Sequence, residues 1–146
     1  MNKNLITELN QLLADFHLYY QNTRGFHWNI KGTSFFELHV KFEELYTEAL
    51  TNIDEIAERI LTIGGNPLHS FEDYLSTSQI QQAKDVSKDK ECVETLVKNL
   101  EILIGQENKV KELSSELRDS ETEDMMIGLV NLQQKTLWMF NSWLSN

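Results

Sequence analysis

The sequence contains one cysteine, Cys92, among 146 residues, so no disulfide can form within the chain, and the composition agrees with a reducing cytoplasm. Its beginning, MNKNLITELNQLLADF, has neither the long apolar run of a signal peptide nor a cleavage-site pattern. No stretch approaches the ~18 apolar residues of a membrane span. Positive charge is scarce too. With 13 Lys and Arg against 23 Asp and Glu, the formal charge is −10, and the average surface repels phosphate while favouring cations. No internal repeat or low-complexity segment is visible. What is present, 40 % hydrophobic residues, suffices for one domain over residues 1–146 with one substantial core.

The apolar residues recur at helical spacing. Leu5, Leu9, Leu12, Phe16, Tyr19, Thr23 and Phe26 predict one long amphipathic helix. Ser34 with Glu37 reads as a capping box that opens the next, whose stripe runs through Phe35, Leu38, Phe42, Leu45, Ala49, Ile53, Ile56 and Ile60 until Gly64, Gly65 and Pro67 stop it. A third helix is expected from about residue 89 to 117, with Gly105 weakening its middle. Ser120 with Glu123 reads as the capping box of a last helix carrying Met126, Leu129, Val130, Leu137, Phe140 and Leu144. Tight turns make each consecutive pair an antiparallel hairpin. The middle connection, about 25 residues from 64 to 88, is long enough to cross a bundle, and Ser70 with Asp73 can cap a short helix within it. The expected fold is all-α, a four-helix bundle with one long crossover of the ferritin-like kind.

Five metal-competent side chains stand at helical spacing: His27, then His39 and Glu43, then Asp54 and Glu58. At about 100° per residue, the last four fall at roughly 0°, 40°, 60° and 100° around one helix axis. They share a face, yet about 1.5 Å of rise per residue separates His39 from Asp54 by roughly 22 Å. One helix cannot close both pairs on one ion. A second copy lying antiparallel across a two-fold axis can, because His39 and Glu43 of one chain then face Asp54 and Glu58 of the other. The axis would pass near Ala49, a small residue suited to a close helix crossing, giving two identical sites roughly 20 Å apart. His27 can fold back beside His39 across the turn at Gly32, Thr33 and Ser34. Imidazole with carboxylate and no thiolate favours Fe(II), Mn(II) or Zn(II). The competing account is a metal-free bundle in which the same five residues are ordinary polar positions.

Di-iron bundles with sites inside one chain carry Glu-x-x-His motifs. Here the residues three before the four histidines are Ala14, Arg24, Phe36 and Asn66. The segments FHWNIKGTSFFELHVKFEELY and NIDEIAERILTIGGNP, with LWMF at 137–140, resemble the ferroxidase signature of the Dps family, the DNA-binding proteins from starved cells or mini-ferritins. The resemblance implies that His27 and His39 ligate iron from one subunit and Asp54 and Glu58 from its two-fold partner. Glu43 stands where many members have Asp, as a ligand of the second iron. It further implies a homododecameric shell that oxidises Fe(II), preferably with hydrogen peroxide rather than oxygen, stores ferric oxide and limits oxidative damage. Zn or Mn can substitute for iron.

Trp28 matches an aromatic beside the family's site, with either a redox role or a packing role. Asp124 matches a pore position, with Asp119, Glu121 and Glu123 nearby, although a helix N-terminus favours acids for its dipole alone. DNA binding is expected to be weak or absent, since the first ten residues contain only Lys3 and the last helix has no basic extension. A nucleoid protein that mainly coats DNA is the alternative function.

Overall fold

The computed structural model describes residues 2–145. Five helices follow in order: α1 (Lys3–Asn29), α2 (Phe35–Thr62), α3 (Phe71–Thr77), α4 (Asp89–Glu116) and α5 (Ser120–Leu144). α1 packs on α2 and α4 on α5, α1 also meets α4, and α3 rides on α1 within the long crossover. Among the described residues the only β pairing is one isolated parallel bridge, Lys31 to Lys88, which pins the end of the crossover to the α1–α2 turn.

The stripes read from the sequence are the core. Leu9, Leu12, Phe16, Phe42, Ile56, Ile60, Leu96, Leu103 and Met126 are shielded from water, and Leu5, Tyr19, Phe26, Leu45 and Phe140 pack with them. Gly105 does not interrupt α4. A Cβ there would meet nothing, so the residue costs helix propensity without breaking the ladder. Among the described residues no helix is long and apolar enough to cross a membrane.

Two of the three expected capping boxes do not form. Ser34 is the residue before α2, but at φ −96 and ψ 18 it is not extended and its hydroxyl caps nothing. Before α5 the cap is Asp119 and not Ser120: Asp119 Oδ1 accepts from Thr122 N at 3.1 Å, and Ser120 becomes the first helical residue. A contact sixty residues away in sequence decides this. Arg59 donates to Asp119 Oδ1 at 2.8 Å and to Thr122 Oγ1 at 2.8 Å, tying the end of α2 to the start of α5. The guanidinium and the hydrogen bonds from Thr122 hold the Asp119 carboxyl below its ordinary range, against the burial that would raise it. The third box holds, as Ser70 Oγ accepts from Asp73 N at 3.2 Å at the head of α3.

Buried polar groups fasten the crossover. Asp15 accepts from Gln79 N at 2.6 Å, Gln79 Nε2 at 2.9 Å and Ser78 Oγ at 3.1 Å. These bonds offset the burial, which still leaves its pKa above the usual carboxylate value. His17 stacks on Tyr74 with ring centroids 3.7 Å apart, and burial lowers its pKa to about 4. Cys92 is wholly buried, and its thiol is pushed up to about 11, so it is an inert core residue. Glu107 is the exception in the core: it is fully buried, and neither of its carboxyl oxygens nor Gln133 Oε1 on α5 has a hydrogen-bond partner. Burial drives its pKa up to about 9.

Candidate metal centre

The turn between α1 and α2 determines how the two histidines meet. It is five residues long, 30–34, and passes through Gly32 at φ 126, a conformation that a Cβ would strain. α2 then returns alongside α1, and the rings of His27 and His39 stack with centroids 3.8 Å apart and planes 11° from parallel. His27 Nδ1 lies 2.7 Å from the main-chain oxygen of His39, and His39 Nδ1 lies 2.7 Å from that of His27. A carbonyl oxygen can only accept, so each Nδ1 carries the proton and donates it. With Nδ1 engaged in this way, Nε2 is the nitrogen that remains to bind a metal when the ring is neutral. Phe35 stacks on His39 at 4.8 Å and Tyr46 meets His27 edge-on at 5.4 Å, so rotation of either ring is restricted.

His27 is 8 % exposed and His39 is half-buried, whereas Glu43, Asp54 and Glu58 stand exposed on α2. Within one subunit the two histidines are together, Glu43 is one turn beyond His39, and Asp54 and Glu58 are far along the helix. Among the described residues no three His, Cys, Asp or Glu side chains are grouped to hold an ion. A single copy brings together only part of the expected ligand set.

The same face of α2 carries a feature that the core stripe conceals. Phe36, Val40, Leu50 and Leu61 are 81, 52, 52 and 55 % exposed. At about 100° per residue they lie in the same arc, roughly 100° wide, as His39, Glu43, Asp54 and Glu58. Large apolar side chains interleaved with acids along one outward stripe form a surface suited to burial against another chain. Ala49 does not belong to it. At 1 % exposure it faces the subunit's own core in register with Leu45 and Ile53, so it is not the small residue of an intermolecular crossing. Thr47 and Leu50 are the exposed residues at that level. The outward stripe was readable from angular position, since apolar residues outside the core arc are its signal.

The Ferritin-like domain family profile matches residues 6–146. A relative called DNA protection during starvation protein 2, from Bacillus anthracis, is 41 % identical over 145 residues, covering 99 % of both chains. The chain belongs to the ferritin-like family, in its Dps group. The Dps structure from Vibrio cholerae O1, described as a member of a broad superfamily of ferritin-like diiron-carboxylate proteins, matches with a TM-score of 0.96 at 44 % identity, covering 98 % of this chain and 90 % of that one. The Dps structure from Staphylococcus aureus matches with a TM-score of 0.96 at 39 % identity over 99 % and 97 % of the two chains. The ferritin-like bundle with its crossover helix is thus the fold of this Dps chain.

The other expected site residues lie toward the two ends of α2, Trp28 beside the histidine pair and the acids of α5 near Arg59. Trp28, next to His27, is 59 % exposed. The guanidinium of Arg24 sits 4.9 Å from its ring centroid and 4.9 Å from that of Tyr20, while donating to Tyr20 Oη at 3.0 Å. Of the acids at the head of α5, Asp119 is engaged by the cap and by Arg59, Glu123 is half-buried, and Glu121 and Asp124 are exposed. Arg59 belongs to this intrachain clamp rather than to Glu58 beside it. His69 is exposed, with Nδ1 3.0 Å from the Pro67 carbonyl.

Proposed function

We propose that this chain is the subunit of an iron-oxidising, iron-storing Dps shell whose centres assemble between two copies across a two-fold axis. The observation that carries this reading is the reciprocal lock of His27 and His39, in which each Nδ1 is held by a main-chain oxygen and Nε2 is the nitrogen left for a metal. A lone pair lies in the plane of its ring, and two nearly parallel planes 3.8 Å apart do not converge on a common ion. Each imidazole then serves its own Fe(II), at a separation in the ~3.5–4 Å range of two-metal sites. Asp54 and Glu58 of the second copy supply the bridging and terminal carboxylates, and Glu43 completes the second position. The exposed stripe of Phe36, Val40, Leu50 and Leu61 supplies the apolar contact that holds the two α2 helices together.

Fe(II) is the substrate. Hydrogen peroxide takes one electron from each of two Fe(II) ions and two protons, giving two Fe(III) and two waters. The carboxylates stabilise the increased charge, and the product collects inside a shell of twelve chains. The same geometry accepts Zn(II) or Mn(II) as competitors. Glu121, Glu123 and Asp124 form an acidic approach for the cation. Trp28, exposed beside His27, is placed to lose an electron when only one Fe(II) is available to the oxidant. Anaerobic loading should saturate at two Fe(II) per chain, and peroxide should then generate ferric absorbance with a stoichiometry of two Fe(II) per peroxide. Ferric formation no faster than that of free iron would overturn the reading.

The relatives' name speaks of DNA protection, and removal of Fe(II) together with peroxide protects DNA without touching it. With a formal charge of −10, the assembled protein is expected to leave duplex DNA unshifted in a gel at neutral pH and moderate salt. Salt-sensitive retention would favour the coating function instead.

A further inference from the structure

Between the crossover and α4 lies a cleft of about 560 Å3 whose lining runs against the charge of the chain. Lys84 and Lys98 line it and no Asp or Glu does. Among the described residues neither lysine lies within ion-pair distance of a carboxylate. The remaining polar lining includes Gln81, Gln82, Thr95 and Asn99. Asn99 is 5 % exposed, and its Nδ2 is buried with no acceptor. Such a donor has given up its water without replacement, which folded proteins rarely allow. Asn22 shows the satisfied alternative at the same crossover: its Nδ2 donates to Gln81 O and its Oδ1 accepts from Ala83 N, both at 2.9 Å.

We infer that this cleft binds a small tetrahedral oxyanion of the phosphate class, one per chain. The ammonium groups of Lys84 and Lys98 balance its charge and make charge-assisted hydrogen bonds, and the hydroxyl of Thr95 donates from the wall. The Asn99 amide supplies the floor. This unpartnered amide is the buried polar group of the lining. A cation does not suit this lining, because two ammonium groups repel it and no carboxylate attracts it. The site is separate from the iron centre, and its occupancy does not depend on the reading given for that centre.

Calorimetric titration of the iron-free assembled protein with inorganic phosphate, at low ionic strength, tests the proposal. Saturable binding of one phosphate per chain is expected, weakened at least about ten-fold in a Lys84→Gln, Lys98→Gln double variant and in Asn99→Asp. Circular dichroism and light scattering verify that the variants remain folded and assembled. All three lined positions are polar and the lysines are exposed, so the double variant is expected to fold normally. Absence of saturable binding, or binding that the variants leave unchanged, overturns the proposal. A short DNA duplex distinguishes the source of the phosphate group. Retention of the duplex that is lost in the double variant, without any binding of free phosphate, would make the cleft a backbone contact and would overturn the assignment to a small anion.

Discussion

Two inactive variants are expected to restore each other's activity. In the first, His27 and His39 are changed to Ala; in the second, Asp54→Asn is combined with Glu58→Gln. Each alone lacks two of the five ligands at every site and should oxidise Fe(II) no faster than the background. Co-expressed with different affinity tags and purified as hybrids, equal amounts pair at random. Half the dimers are then mixed, and each mixed dimer has one site with both defects and one with none, so about a quarter of all sites should be intact. Recovery near that fraction, measured as ferric absorbance after peroxide, is the signature of ligands given in trans. Verified hybrids that stay inactive would return all the ligands to one chain, against the roughly 22 Å that separates the pairs along α2.

A second large effect concerns stability. Glu107 is raised from an ordinary value of 4.5 to about 9 by burial, so the folded chain keeps its proton where the unfolded chain has lost it. Below the unfolded value both states are protonated and the residue costs nothing through ionisation. From there up to about 9 the unfolded state binds fewer protons, so stability falls with rising pH and levels off only above the folded value. Glu107→Gln removes this slope. The variant is expected to be more stable at pH 8 by roughly 2–4 kcal/mol and little changed at pH 4. Thermal melts from pH 4 to 9 at one protein concentration decide this, because assembly makes the midpoint depend on concentration. Parallel pH profiles for the two proteins would show that Glu107 is not the group responsible.

The helices and their buried faces were legible because one period governs them. Leu5 to Phe26 and Phe35 to Ile60 lie where a 3.6-residue repeat puts them, and no distant contact competes. Caps were less legible. Asp119 and Ser120 are adjacent and both are good caps, and the choice between them rests with Arg59 on another helix. Ala49 illustrates a different limit: its size suits a close helix crossing, but its angle assigns it to the subunit's own core. That the candidate ligand residues share one face of α2 followed from spacing alone. The reciprocal bonds of His27 and His39 did not, since they need the path of the turn, and main-chain acceptors leave no mark on a sequence. Lys84 and Lys98 lie on different segments, and only folding brings them to one cleft.

The hydrogen bonds that orient the imidazoles come from the backbone of each other's residue, while Phe35 and Tyr46 restrict the rings from the side. The pair therefore depends on the relative placement of α1 and α2 as well as on these two aromatic neighbours. Adding one residue inside α2 between His39 and Phe42 would rotate His39 by about 100° relative to the core stripe and break both bonds at once. The pairing of the two rings thus depends on the register of α2, because the residues that bury the helix also set the angle at which His39 meets His27.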